Sequence, residues 1–303
     1  MARQNVNHLY ARISKEPNFK RNEDGDIVLG MCYIQVVRGV RDARDGQHYI
    51  KYDKPLVMSR EKEILDKMAN WKKNDIVQVK GMIVTKQLKK ASYCPYCTDE
   101  AGDATKNAVQ GNLVYINPIH VTTIRSYGED KKAAIEDILA NREISNQVYV
   151  YGTLINDPKL FITKSKLRVT QYQIALNRHF RIRTDDANIK TDWPWVKTYG
   201  EQAVEDKLRL RQSSDVVIDG YLQARTVQRG TVCKCCQKQY RWKDTCMEIV
   251  PFEVEYVKGT YLTDDDLKAE GKQNVDEIRA KLFNSVDKDE MEEEYNSEEF
   301  NEE

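Results

Sequence analysis

Short apolar runs dominate the chain, and most alternate with polar positions at the two-residue period of a half-buried strand. Five runs come in order at 9–13, 31–37, 55–58, 75–84 and 113–124, and five more at 148–155, 172–177, 193–200, 215–226 and 247–257. One helical stretch breaks each series before its fourth strand. In the first it is SREKEILDKMANW, with Ser59 as the expected N-cap and Glu61 and Glu63 suited to the positive end of the helix dipole. In the second it is GEQAVEDKLRLR.

The two series read as copies of one unit. Pro17 matches Pro158 at an offset of 141, and Ile34 matches Ile174 at 140. Pro55 with Pro194, Gly81 with Gly220, and Cys94 and Cys97 with Cys233 and Cys236 all match at 139. Five ordered anchors drifting by two residues predict a tandem repeat over about 4–125 and 146–258. Each unit, five strands and one helix, fits a small Greek-key barrel, so the chain is expected to be mainly β. Residues 126–145 link the units, with a connector helix expected at 129–141, either a spacer or packed on a barrel. A further helix is expected within 259–286, with Thr263 or Asp264 as N-cap. Residues 287–303 are too charged to pack and are expected to be a disordered acidic tail.

Charge changes this picture more than composition does. The 303 residues carry 48 Lys+Arg and 48 Asp+Glu, but residues 262–303 hold 16 acids against 5 bases. The remainder therefore has 43 bases against 32 acids. A basic body with an acidic tail suggests a polyanionic partner and a tail that competes with it. The N-terminal segment lacks a signal-peptide core and no apolar run reaches bilayer length, so a cytoplasmic protein without membrane contact is expected.

Unit two carries, in order, Gly152, Asp157-Pro158, Asn177-Arg178, Trp193, Tyr199-Gly200, Ala203, and Gly220, Leu222 and Arg225. This order resembles the bacterial and phage type of single-stranded DNA-binding protein, an OB-fold family, over about 110 residues. Unit one matches more loosely and lacks the Trp, with Asp53-Lys54 before Pro55. The resemblance implies single-stranded DNA as partner, without strong sequence preference, in replication, recombination or repair at the nucleoid. It also implies a non-enzymatic protein that forms a homo-oligomer, since the family's usual one-barrel chain assembles as a tetramer. The family's acidic tail ends in a hydrophobic plug, which Phe300, with Tyr295, approximates here as a contact for replication or recombination proteins.

Binding single strands needs aromatic faces for bases and cations for phosphates along one groove. Trp193, Tyr199 and Phe180 resemble the family's stacking positions, with Trp195 expected in the core. Arg178, Arg181 and Arg183 cluster after the second strand of unit two, and Arg225 ends its fourth. In unit one the same places offer Arg38, Arg41, Tyr49, Tyr52 and Lys86.

Six of the seven cysteines lie in two polar stretches, which argues for a metal and against a disulfide framework. Two ligand sets compete for Zn²⁺. One is shared between the units, Cys94, Cys97, Cys233 and Cys236; the other lies within unit two and draws on Cys246. The equal offset favours the shared set. Cys32, within an apolar run, is read as a core cysteine. No Walker loop, GxSxG or HExxH is present, so no catalytic residue is assigned. The alternatives are the binding subunit of a nuclease, ligase or primase assembly, and an RNA-binding OB module.

Overall fold

The computed structural model describes residues 4–38, 50–98, 102–163, 166–178, 180–183 and 189–269. In the first half β1 (Gln4–Ile13), β2 (Asn18–Arg21), β3 (Ile27–Val37), β4 (Tyr52–Asp53) and β5 (Leu56–Ser59) precede α1 (Lys62–Met68) and the long hairpin β6 (Asp75–Thr98) and β7 (Ala104–Ser126). Helices α2 (Lys131–Ala140) and α3 (Arg142–Ser145) lead to the second half. There β8 (Asn146–Leu154), β9 (Lys159–Ile162), β10 (Arg168–Asn177), β11 (Thr191–Asp192) and β12 (Trp195–Tyr199) come before α4 (Gly200–Arg209). The hairpin β13 (Asp215–Val232) and β14 (Gln239–Tyr256) follows, then α5 (Asp264–Ala269).

Each half closes on itself. β1 pairs β3, β3 pairs β5, β5 meets β7 in parallel at Val57 and Ile116, β7 pairs β6, and β6 returns to β1. The ring β8–β10–β12–β14–β13–β8 repeats this order, with its parallel contact at Val196 and Ile249. This is the five-stranded OB barrel, twice. Strand alternation fills both interiors: Leu9, Ile34, Val57 and Ile116 in one, Val150, Ile174, Val196 and Ile249 in the other, all fully buried. Buried Cys32 belongs to the first core, and burial pushes its thiol up to about 12. Gly81 and Gly220 recur because each sits at a bulge opposite a proline, Pro118 or Pro251. A Cβ there would come within 2.7 Å of the Asn117 carbonyl oxygen, or 2.4 Å of that of Val250, so only glycine admits the crossing.

β1 and β8 join the barrels. They pair antiparallel from Gln4 opposite Tyr151 to Leu9 opposite Asn146, centred on Asn7 opposite Val148. These two central residues are equivalent in the repeat, so an approximate two-fold axis passes between them. Two buried amides fix the register. Asn5 donates to the Ile83 carbonyl and accepts from the Ile83 N–H, both at 2.9 Å. Asn146 does the same with Leu222, at 2.8 and 3.1 Å. Each would leave buried donors and acceptors unpaired after a one-residue slip.

Helix expectations are met with shifted ends. α1 starts after Glu61, whose backbone is extended and whose side chain caps nothing. Ser59 is therefore not the N-cap; it lies two residues too early, and its hydroxyl accepts from the Glu61 N–H at 3.1 Å. The connector helix is present, with Asp130 accepting from Ala133 N–H at 2.9 Å. Of the two roles left open for it, the packed one holds: Ala134 and Ile138 lie against Tyr10, Val37 and Ile76. At α5, Thr263 and Asp266 cap each other, Thr263 N–H to Asp266 Oδ2 at 2.8 Å and Asp266 N–H to Thr263 Oγ1 at 3.3 Å. The rest of the helix expected in 259–286, and the 287–303 tail, lie outside the described residues.

One buried carboxylate stands apart. Asp206 of α4 is wholly enclosed and accepts from the Tyr256 hydroxyl at 2.7 Å and Gln202 Nε2 at 2.8 Å. Burial pushes its carboxyl up to about 6, against the pull of those donors.

Candidate nucleic-acid interface and cysteine cluster

The residue order at the end of β10 builds a clamp. Arg178 follows the last β10 residue, and Asp192 ends β11 on the far side of the loop between them. Arg178 donates Nε to Asp192 Oδ2 at 2.7 Å and a second nitrogen to Oδ1 at 2.9 Å. The same Asp192 Oδ1 accepts from the Thr85 N–H of the other barrel at 2.8 Å. Unit one repeats this: Arg38 forks onto Asp53 at 2.9 and 2.8 Å, and Asp53 Oδ1 accepts from Ala224 N–H at 2.9 Å. Ala224 is Thr85 shifted by the repeat offset of 139. Each loop is thus tied together at its base, and the aspartate of that base bonds the sister barrel. Arg38 and Arg178 were expected to face phosphates; the structure sets both against buried carboxylates, because a buried Asp needs a bidentate partner. Arg225 is drawn off likewise, donating to the buried Glu248 at 2.7 Å, with Lys197 4.0 Å from the same carboxylate.

The clamp holds aromatic residues outward. Trp193, the next residue after Asp192, is 43% exposed, its N–H bonded to Thr85 Oγ1 at 3.0 Å and its carbonyl to Gln173 Nε2 at 2.6 Å. The side chain is free to present a face while its backbone is fixed twice. Trp195, expected in the core, is half-buried at the start of β12. Phe180 is 40% exposed two residues beyond Arg178, and Arg181 is exposed beside it. Ile182, between the loop cations, packs on the outer wall of unit one among Leu56, Val84 and Tyr115. Arg183 is seated there too, its N–H on Glu61 Oε1 at 3.0 Å and its guanidinium 3.5 Å from Glu61 Oε2. A cleft between this loop and unit one is lined by the cations Arg21, Arg60, Lys62, Arg181 and Arg183 and by the carboxylates Asp26, Glu61 and Asp66. Tyr199, half-buried, has Lys197 5.8 Å over its ring.

Unit one offers less of the expected set. Tyr52 is half-buried and packs against the cluster that holds Ala134 and Ile138 of α2. Lys86 is exposed on β6, while Arg41 and Tyr49 lie outside the described residues. Sequence reasoning passed over Tyr33 on β3 and Tyr149 on β8, exposed at 56% and 48%. The available signal was their outward phase, since Cys32 and Ile34 flank Tyr33 on the inward face.

The cysteines converge across the repeat axis. Beyond the barrels, the β6–β7 and β13–β14 hairpins run side by side, joined by Lys90 on Asp244 and by Ser92 and Tyr240 hydroxyls 2.8 Å apart. At their tips the sulfurs of Cys94, Cys97, Cys233 and Cys236 all lie within 4.8 Å of one another. Cys94 and Cys236 are 3.7 Å apart, and Cys97 and Cys233 3.6 Å. A tetrahedron of zinc–thiolate bonds of about 2.3 Å has edges of about 3.8 Å, so the four sulfurs fit such an ion. Main-chain N–H groups of Cys236 and Cys235, together with Asn107, turn toward Cys233 and bring its thiol down to about 6. Asn107 Nδ2 is 3.5 Å from that sulfur, and its Oδ1 accepts from Lys234 N–H at 3.0 Å. Of the two sets weighed, the shared one is assembled. Cys246 is not in it: Arg229 donates to its sulfur at 3.3 Å, farther down β14, because the long hairpin separates it from the tip.

Comparison with known proteins agrees with this arrangement. Residues 145–242 match the single-strand binding protein family model. Among solved structures, the wild-type single-stranded DNA binding protein from Thermus aquaticus is 16% identical with a TM-score of 0.52, covering 85% of this chain and 95% of that one. A deletion mutant of the same Thermus protein, also 16% identical, gives 0.54, with 87% and 100% covered. At that identity the likeness speaks for fold, and its extent takes in both barrels. The second unit of this chain thus resembles the single-strand binding protein family in sequence, and both units share the OB fold.

Proposed function

We propose that this chain is a non-enzymatic single-stranded DNA-binding protein that serves replication, recombination or repair. The observation that carries the reading is the clamped loop of unit two. It presents Trp193, Phe180 and Arg181, all within the segment that matches the family, and Arg181 borders a cleft that Arg21, Arg60 and Lys62 of unit one also line. Bases would stack on the two rings while the cleft cations neutralise phosphates, a mode that needs no sequence readout. Arg38, Arg178 and Arg225 serve as anchors of the surface. The four cysteines would hold a structural Zn²⁺ that ties the two hairpins; with all four positions filled by protein, such an ion leaves no open site for chemistry. The acidic 287–303 segment, with Tyr295 and Phe300, would compete for the basic cleft and recruit replication or recombination proteins.

Titration with fluorescent oligo-dT, read by Trp quenching at several salt concentrations, tests the reading. Binding is expected to weaken with a slope of about −0.7 per phosphate neutralised. A flat salt response, or no quenching, overturns it. Cleavage of the strand in Mg²⁺, or a preference for RNA of the same sequence, would replace it with one of the alternatives.

A further inference from the structure

The paired hairpin tips have a surface that the barrels do not explain. Residues 86–112 and 226–245 contain nine Lys and Arg and four acids: Asp99, Glu100 and Asp103 between β6 and β7, and Asp244, which is already held by Lys90 and Arg229. Lys106, Lys234, Lys238, Arg241 and Lys243 are exposed there. So are two tyrosines, Tyr93 at 59% and Tyr96 at 56%. Tyr96 lies inside the first Cys-x-x-Cys turn, and its N–H donates to Cys94 Sγ at 3.4 Å. Its ring has the Lys238 ammonium of the other hairpin 5.3 Å from its centroid. The knuckle therefore fixes an aromatic face and a cation, one from each unit, at one point. A solvated tip has no need of this pairing, whereas a nucleic-acid strand uses both parts.

We infer that the tip of the two hairpins is a second binding surface for a single nucleic-acid strand, formed only when the four cysteines are tied by their cation. A base stacks on the open face of Tyr96, with Tyr93 as a second platform, and Lys234, Lys238 and Arg241 take the phosphates. This rests on the reading of the chain as a single-strand binder and adds a metal-dependent contact remote from Trp193. Main-chain bonds hold the thiolates, so Tyr96→Ala leaves the cation in place.

The test compares full-length wild type with a Tyr96→Ala, Lys238→Ala double variant, using labelled oligo-dT of about 12 and about 40 nucleotides. The shorter probe is matched to one barrel and the longer continues past it. The variant is expected to retain its metal, to bind the short probe as wild type does, and to bind the long probe on the order of ten-fold more weakly. Wild type stripped with a chelator is expected to show the same selective loss. Unchanged binding of the long probe, or equal loss on both probes, overturns the inference. Failure of the wild type to bind the short probe, or indifference of that binding to Trp193→Ala, instead marks failure of the underlying reading.

Discussion

Arg178 grips Asp192 with two hydrogen bonds across the mouth of a loop, and the same carboxylate reaches over to the Thr85 N–H of the sister barrel. One buried acid thus closes a loop and docks two domains. Removing Arg178 leaves the Asp192 charge enclosed without its cation, a change that typically costs about 3–5 kcal/mol. Arg178→Ala is expected to lower unfolding stability by about 3 kcal/mol and to weaken DNA binding through the loosened Trp193. Denaturant titration and oligo-dT binding check both. Full stability in the variant would mean that the pair is structurally idle.

Trp193 and Phe180 make a smaller demand on the fold, because they are exposed at 43% and 40% and lie outside the buried clusters. Replacing either by alanine is expected to cost about 1–3 kcal/mol of binding while leaving thermal unfolding unchanged. Trp195→Ala, at a half-buried strand position, is expected to do the reverse. Equal binding losses at Trp193 and Trp195 would argue against an outward face at Trp193.

The cysteine cluster predicts an equality. Cys94→Ser with Cys97→Ser removes half of the ligands from one unit, and Cys233→Ser with Cys236→Ser removes half from the other. Elemental analysis is expected to find one zinc per wild-type chain and none in either double variant. Cys246→Ser is expected to keep its zinc, since that thiol pairs with Arg229. Zinc retained after loss of Cys94 and Cys97 would rule out the shared site.

Asp206 predicts a pH dependence with an unusual sign for a carboxylate. Its folded value of about 6 lies above the ordinary 3.8, so between those values the native state keeps a proton that the unfolded chain has released. Its contribution is full below about pH 4 and is lost as pH rises through 6, in total about 3 kcal/mol. Wild type minus Asp206→Asn stability, followed by chemical denaturation from pH 4 to 7, is expected to fall across that window. A difference that stays flat or rises with pH would contradict this environment.

Much of the fold was legible because strand period and repeat offsets are written into local residue types. Gly81 and Gly220 align for a steric reason, and the cysteine offset placed two knuckles on equivalent hairpins. What the pattern could not show was which arginines are spoken for. Arg38, Arg178 and Arg225 look like surface cations in a linear reading. Their partners Asp53, Asp192 and Glu248 are 14 to 23 residues away, and only the antiparallel pairing of β3 with β4, β10 with β11 and β13 with β14 brings the charges together. Tyr96 was obscured by the cysteines around it, which drew attention to metal chemistry and away from the ring between them. The start of α1 was missed by two residues because Ser59 still belongs to β5.

The β1–β8 seam has a consequence for how this molecule behaves at low concentration. Both of its strands belong to one chain, so the seam forms by a unimolecular event and does not come apart on dilution, as a contact between separate chains would. Covalent tethering also frees the two halves from being identical. A residue changed in one barrel is not imposed on its neighbour, and the chain can keep Trp193 on one side while Lys54 stands at the matching place on the other. Directionality along a bound strand becomes available to such a molecule in a way that two interchangeable subunits do not provide.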